Sequence, residues 1–271
     1  SVSYQREIPM DVTSADGTTI AFDQSGTGPA VILVQGGFAD RSHPIWAGLA
    51  AALSPNFTVY NYDRRGRGGS GDTAPYAVER EIEDLAAVIK HAGGEAQVFG
   101  GSSGGALALQ AAAHGLAITK LAIYDPPYIV EGARTPIPED FENHLADLIA
   151  QDRRGEVVEK FMTHAAEVPA EMLDQMRTSP FWAGMEAVAH TLVYEAAVVG
   201  PGNALPTGKI ASITAPTLVL SGGASAPWML KAGEAVAATL PDGHHQVLEG
   251  QGHDASPEAL ATAITDFFAT H

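Results

Sequence analysis

The chain has 271 residues, of which 45% are hydrophobic and none is cysteine. A chain of this length buries enough apolar surface to fold without disulfide bonds or structural metal ions, and the lack of cysteine excludes thiolate catalysis and cysteine-ligated zinc. Its 32 acidic and 15 basic residues give a formal net charge of −17, which disfavours binding to nucleic acid and to anionic membrane surfaces. We therefore expect a soluble protein that acts on a small molecule, as a monomer or a homodimer.

The sequence contains no run of about 18 apolar residues that would predict a transmembrane helix. Its first 30 residues also lack the basic and apolar segments of a signal peptide. We expect a cytoplasmic protein, unless a signal peptide has been removed ahead of Ser1.

Short apolar runs alternate with longer helical patterns along most of the chain. An Asp16-Gly17 turn first predicts a hairpin, in which residues 10–14 pair with residues 19–24. Buried strands are then predicted at residues 30–34, 57–62, 97–99, 121–124, 217–220 and 246–248, and helices at residues 44–53, 77–91, 106–113, 229–240 and 257–269. Such alternation predicts an α/β fold with a mostly parallel, doubly wound central sheet.

The alternation lapses between the fourth and fifth of these strands. Helical patterns occupy residues 141–150, 155–164, 171–176 and 182–199, with prolines on both sides. We interpret residues 131–206 as a helical lid inserted into a core that comprises residues 1–130 and 207–271.

A nucleophile elbow is the strongest local signal. The sequence VFGGSSGGALAL at residues 98–109 places G-x-S-x-G between a strand and a helix, where small neighbours permit a sharp turn. Either Ser102 or Ser103 fits this spacing. We favour Ser102, because Phe99 then ends the strand and Gly104 and Gly105 fall on the helix side. A turn without catalysis is the alternative; a phosphate loop would require a lysine that is missing here.

A serine nucleophile requires a base and an acid that orients it. His253 follows the last strand in a glycine-rich turn, whereas His244 and His245 precede that strand. The acid would be expected after the strand at 217–220, but residues 221–227 contain no carboxylate.

We therefore predict that Asp125 is the acid, because it ends the strand at 121–124 and could reach His253 from there. The alternative is that Asp125 only forms the turn before Pro126. Asp254 would point elsewhere, and Glu249 lies on the incoming strand.

Two backbone N–H groups would stabilise the oxyanion. One is that of Ser103, and the other is that of Gly37 or, next in preference, Phe38. Phe38, His190 and Trp182 are candidates for substrate contact, although the spacing of aromatic residues in the lid fits a helix core equally well. No pattern indicates a metal site or a cofactor.

Four motifs together resemble those of the α/β-hydrolase fold superfamily over nearly the whole chain. They are the oxyanion-loop strand VILVQGG, the turn YDRRGRGGSG, the elbow FGGSSGGALAL and the histidine turn EGQGHD. The resemblance implies that residues 63–70 form a structural turn near the site. The chain departs from the family at Gln35 and Gly101, where histidine is usual, and in having no acid after the strand at 217–220. Related enzymes that carry the acid after the preceding strand support the choice of Asp125.

The resemblance implies a serine hydrolase similar to esterases and lactonases. It would cleave an ester, thioester or lactone of a small, mostly apolar substrate through an acyl-enzyme intermediate. Serine at position 102 argues against epoxide hydrolases and dehalogenases, which use aspartate. The alternatives are carbon–carbon bond hydrolysis or cofactor-free perhydrolysis on the same triad, or a ligand-binding relative with poor turnover.

Overall fold

The computed structural model describes residues 8–270, which form one central sheet flanked by helices. In this part of the chain the strand order is β1-β2-β4-β3-β5-β6-β7-β8; β1 and β2 pair antiparallel with their neighbours, and all other pairs are parallel. The strands are β1 (Ile8–Thr13), β2 (Thr19–Ser25), β3 (Ala30–Val34), β4 (Thr58–Tyr62), β5 (Ala96–Gly101), β6 (Ile118–Tyr124), β7 (Thr217–Gly222) and β8 (Gly243–Leu248). The predicted hairpin and the mostly parallel, doubly wound sheet are confirmed.

Helices cover both faces of the sheet because its central strands are apolar on both sides. In β3, Ile32 and Val34 belong to the apolar layer that includes residues of α2, α3 and α10, whereas Val31 and Leu33 belong to the layer that includes residues of α1 and α11. These helices are α1 (Pro44–Leu53), α2 (Val78–His91), α3 (Ser103–Ala113), α10 (Pro227–Thr239) and α11 (Pro257–Thr270). The alternation of side chains along a strand therefore divides the interior into two layers.

A helical segment follows β6 and precedes β7. It contains α4 (Phe141–Ala150), α5 (Arg154–His164), α6 (Ala170–Arg177), α7 (Trp182–Ala187), α8 (His190–Val199) and α9 (Thr207–Ala211). The helices α4, α5, α7 and α8 share a separate apolar cluster. The assignment of residues 131–206 as a lid stays a prediction.

The helix expected over residues 182–199 is in fact two helices. Val188, at the end of α7, leaves the helical conformation with φ −109° and ψ 14°. No glycine or proline marks this break in the sequence. Ala189 and Leu192, which follow the break, are fully buried in the apolar cluster of the helical segment.

None of the helices described in residues 8–270 is both long enough and apolar enough to cross a membrane.

The turn between β5 and α3 packs directly against the end of β3. A Cβ atom on Gly104 would lie 2.2 Å from the carbonyl oxygen of Val34, and one on Gly100 would lie 2.5 Å from that of Gly104. Both neighbours are backbone atoms, which cannot move aside as a flexible side chain could. Glycine is therefore required at these two positions by close approach.

Substituting Gly104→Ala is expected to destabilise the fold by about 1–3 kcal/mol or more, because the added methyl group overpacks the contact with Val34. Gly184→Ala is the matched control: Gly184 lies in α7, and a Cβ there would have no neighbour within 4 Å. That control should be neutral or stabilising by up to about 1 kcal/mol. Urea unfolding of both variants measures the difference, and equal stability would contradict the packing described here.

Candidate active site

A cavity of about 450 Å³ opens at the carboxyl ends of β3, β5, β6 and β8. Loops that leave these strands supply Gly37, Ser102, Ser103 and His253 to its wall. Most of the remaining wall is apolar, and its larger side chains are Phe38, Trp46, Phe99, Phe141, Phe161 and Trp228. Parallel sheets of this kind bind their ligands at this edge.

Ser102 stands between β5 and α3 in a disfavoured backbone conformation. Its φ is 52° and its ψ is −124°, and its N–H donates to the carbonyl oxygen of Tyr124 at 2.8 Å. Ser103 is the first residue of α3, so its N–H has no partner within the helix. A strained serine followed by a free N–H is the geometry of a nucleophile elbow, and it favours Ser102 over Ser103.

Asp125 and His253 contact each other across the same edge of the sheet. His253 Nδ1 lies 3.1 Å from Asp125 Oδ2, and the two residues are 128 positions apart in the sequence. Asp125 is fully buried, whereas the side chain of His253 is 41% exposed. The structure therefore brings together the predicted base and acid, with the histidine at the cavity wall.

The turn after β7 contains no carboxylate but contacts the carboxylate of Asp125. Gly222 N–H donates to Asp125 Oδ1 at 3.0 Å, and Ser225 Oγ donates to Asp125 Oδ2 at 2.7 Å. The turn thus supplies hydrogen-bond donors to an acid that comes from the neighbouring strand. Both carboxylate oxygens are held, which fixes the side chain of Asp125 in place.

The loop that bears His253 is held to the rest of the site by hydrogen bonds to its carbonyl oxygens. The hydroxyl of Tyr124 donates to the carbonyl oxygen of Gly252, and Ala224 N–H donates to that of Gln251 at 2.9 Å. No hydrogen bond joins Ser102 Oγ to His253 among the residues described. Catalytic hydrogen bonds of this kind often tighten only when substrate binds.

The loop after β3 presents Gly37 and Phe38 to the cavity. Arg67 Nη1 donates to the carbonyl oxygens of Gly36 and Ala39, the latter at 3.0 Å. Carbonyl groups that bond to Arg67 cannot turn into the cavity. The guanidinium therefore fixes the orientation of the loop whose N–H groups were predicted to bind an oxyanion.

The departures from the family motifs at Gln35 and Gly101 have local explanations. The Gln35 side chain points into the core, where Nε2 donates to Asn61 Oδ1 at 2.8 Å and to the carbonyl oxygen of Tyr62 at 2.6 Å. A Cβ on Gly101 would lie 3.0 Å from Trp46 Cζ2. The indole of Trp46 therefore fills the space that a larger residue at position 101 would need.

Two of the residues predicted to contact substrate do not reach the cavity. His190 Nε2 lies 3.4 Å from Asp72 Oδ2, to which the hydroxyl of Tyr194 also donates, at 2.7 Å. Trp182 packs against the apolar cluster of the helical segment instead. Phe38 does line the cavity, and its ring meets that of Phe161 edge to face at 5.9 Å.

A buried network of charges lies beneath the Gly36–Ala39 loop. Arg64 pairs with Glu81 through two hydrogen bonds of 2.8 and 2.9 Å, and Glu195 Oε1 lies 2.6 Å from Arg64 Nη1 and 2.5 Å from Arg67 Nη2. Burial raises the pKa of Glu81, but the charge of Arg64 and its hydrogen bonds outweigh this effect and leave the pKa below its usual value.

Glu195 is the functional candidate that sequence reasoning missed. It comes from α8, and it also lines the cavity. In the sequence, Glu195 looks like any solvent-exposed acidic residue of a helix. Only the tertiary fold brings it into contact with Arg64 and Arg67. No group of three or more side chains suited to holding a metal ion occurs in residues 8–270.

Comparison with known proteins identifies the family. The model of the alpha/beta hydrolase family matches residues 31–263. A solved alpha/beta hydrolase from Sphaerobacter thermophilus is 52% identical, with a TM-score of 0.89 over 96% of this chain and 100% of that one. The chain belongs to the alpha/beta hydrolase family.

More distant relatives carry more specific names. A thermophilic esterase from Thermogutta terrifontis is 25% identical, with a TM-score of 0.73 over 97% of this chain and 98% of that one. The lipase LipV of Mycobacterium tuberculosis is 34% identical over 110 residues, which make up 40% of this chain and 41% of that protein. The chain thus spans about two fifths of the length of the curated relatives that it matches.

The charge network generates a prediction about stability. Glu81→Gln removes one partner of a buried ion pair and should cost about 3–5 kcal/mol at neutral pH. Because the pKa of Glu81 is lowered in the folded state, its contribution is complete above its ordinary value of 4.5 and is lost as the pH falls through the lowered value. The difference between wild type and variant should therefore shrink in acid.

Urea unfolding at neutral and successively lower pH measures this difference. Glu83→Gln is the control, because Glu83 lies on the same helix and pairs with Arg80 near the surface. It should cost less than about 1 kcal/mol. Equal losses in the two variants would contradict the role assigned to the buried pair.

Proposed function

We propose that this member of the alpha/beta hydrolase family is a serine hydrolase that cleaves carboxylic esters, with Ser102 as nucleophile, His253 as base and Asp125 as acid. The contact between Asp125 and His253 carries the proposal. A buried carboxylate, held on both oxygens, lies 3.1 Å from a histidine ring at a cavity wall that also contains a strained serine. Those are the parts that acyl transfer through a serine requires.

In the proposed reaction, Asp125 accepts the hydrogen bond of His253 Nδ1–H and leaves Nε2 as the proton acceptor. Ser102 Oγ attacks the ester carbonyl carbon while its proton passes to Nε2. The tetrahedral oxyanion accepts hydrogen bonds from the N–H groups of Ser103 and Gly37. Collapse breaks the bond to the alcohol, which leaves with the proton from His253, and an acyl group stays on Ser102.

Water completes the cycle by the same steps. His253 takes a proton from water as its oxygen attacks the acyl carbon, and the second tetrahedral intermediate breaks the bond to Ser102 Oγ. The proton then returns to that oxygen and the carboxylic acid leaves. Asp125 holds the ring and stabilises the imidazolium in both halves of the reaction.

The cavity supports a small, mostly apolar substrate. A volume of about 450 Å³ fits a compact molecule, and most of the wall is apolar, with several aromatic side chains. An ester, thioester or lactone would each react through the same acyl-enzyme. The names of the Thermogutta esterase and of LipV support an ester as the first substrate class to test.

Labelling with a fluorophosphonate, followed by intact mass and peptide mapping, tests the nucleophile. We expect one adduct on Ser102 in the wild type and none in Ser102→Ala. The reagent reacts only with an activated serine, so labelling should be slowed in His253→Ala. An adduct on Ser103 would contradict the nucleophile proposed here, and the lack of any adduct would favour a ligand-binding role.

Steady-state hydrolysis of a 4-nitrophenyl ester tests the acid. Asp125→Asn should lower kcat on the order of 10⁴-fold, because the amide cannot orient the ring and stabilise its charge as the carboxylate does. Ser225→Ala is the matched control, since it removes one donor to Asp125 and leaves the carboxylate and Gly222 N–H in place. It should cost only about tenfold. Similar losses in both variants would show that Asp125 is a structural residue.

A further inference from the structure

The carboxylate of Glu195 has one oxygen that is paired and one buried oxygen that has no partner among the described residues. Oε1 pairs with both Arg64 and Arg67, whereas Oε2 has no hydrogen-bond partner among the described residues, although Glu195 is only 1% exposed. A buried carboxylate oxygen without a donor is costly, so native proteins rarely leave one without a purpose. The Glu195 side chain also belongs to the wall of the cavity.

A second unpartnered polar atom belongs to Ser103, another residue of the same wall. Ser103 Oγ is buried in a residue that is 6% exposed, and it has no partner in the part of the chain that the structure describes. The side chains of Ser103 and Glu195 both lie next to the loop after β3. A Cβ placed on Gly36 would lie 3.8 Å from Ser103 Oγ, and one placed on Gly37 would lie 3.9 Å from Glu195 Cγ. The polar part of the cavity is therefore next to the proposed oxyanion site.

We infer that Glu195 Oε2, together with Ser103 Oγ, forms a polar subsite for a neutral hydrogen-bond donor, a hydroxyl or an amide N–H, carried close to the reacting carbonyl group of the substrate. The inference rests on the proposed hydrolase function and makes its substrate class more specific. The substrate is then an ester of a hydroxylated or amidated compound, with its apolar part against the aromatic wall.

The charge balance favours a neutral donor over an ammonium group. The buried network contains two guanidinium groups, those of Arg64 and Arg67, and two carboxylates, those of Glu81 and Glu195. Its formal charges cancel, so the subsite offers a bound cation no net countercharge. Oε2 still accepts a hydrogen bond, and a donor to a charged acceptor is held more strongly than one to a neutral acceptor.

Matched esters test the inference on the full-length protein. The acyl series compares 4-nitrophenyl esters of butanoic acid with those of 2- and 3-hydroxybutanoic acid and of their methyl ethers. The alcohol series compares ethyl, 2-hydroxyethyl and 2-methoxyethyl butanoate. Each hydroxyl compound is intermediate in size between the unsubstituted ester and the methyl ether, so a preference for it over both cannot arise from volume.

We expect kcat/KM of the wild type to favour at least one hydroxyl compound over its methyl ether by about 10- to 100-fold. In Glu195→Gln that ratio should fall by at least about tenfold, because the amide nitrogen that replaces Oε2 donates and no longer accepts. Glu195→Asp provides a second variant, since it keeps the charge for the arginines but withdraws the free oxygen by one methylene group.

Glu81→Gln is the matched control. It disturbs the same arginine network from a residue that does not line the cavity, so it lowers every rate together and leaves the ratio unchanged. Wild-type ratios near one for every pair, or a ratio that persists in both Glu195 variants, would overturn the inference.

Fluorophosphonate labelling distinguishes failure of the subsite inference from failure of the proposed hydrolase function. If Ser102 is labelled and each hydroxyl compound reacts as fast as its methyl ether, only the proposed subsite is contradicted. If Ser102 is not labelled and no ester reacts, the subsite and the hydrolase proposal are both wrong.

Discussion

The contact on which the site depends is the one between the elbow after β5 and the end of β3. Neither Gly100 nor Gly104 has room for a Cβ, and this lets the first turn of α3 approach the backbone of β3 directly. That approach places the positive-φ residue Ser102 beside the loop that carries Gly37. Strain at a single residue is tolerated because the surrounding main-chain contacts over-determine its conformation.

Buried charges hold the two sides of the cavity in relation to this elbow. On one side, Asp125 is fixed by donors from the turn after β7 and contacts the ring of His253. On the other side, Arg67 binds carbonyl oxygens of the loop after β3 and pairs with Glu195 of α8. The helical segment is thereby linked to the loop that would stabilise an oxyanion. Charges in such a low-dielectric setting are costly when they lose a partner, so removal of one member of either contact is expected to be strongly destabilising.

Much of the fold could be predicted from the sequence because its signals are local. The alternation of apolar runs with helical patterns was enough to predict the parallel sheet, and the glycine spacing around Ser102 was enough to predict the elbow. Asp125 could be proposed by elimination, since strand order limits which loops meet at one edge. The donor Ser225, the indole of Trp46 beside Gly101 and the carboxylate of Glu195 carry no local pattern. Their positions depend on packing between distant segments, as does the break between α7 and α8.

The most direct test of this account is a crystal structure of the protein after reaction with a fluorophosphonate. The phosphonyl group mimics the tetrahedral intermediate, so one map reports the nucleophile, the base, the acid and the oxyanion donors together. The account predicts phosphorus bonded to Ser102 Oγ, its oxygen within hydrogen-bond distance of the N–H groups of Ser103 and Gly37, and His253 still on Asp125. An adduct on another serine, or a His253 ring oriented by a different carboxylate, would contradict it.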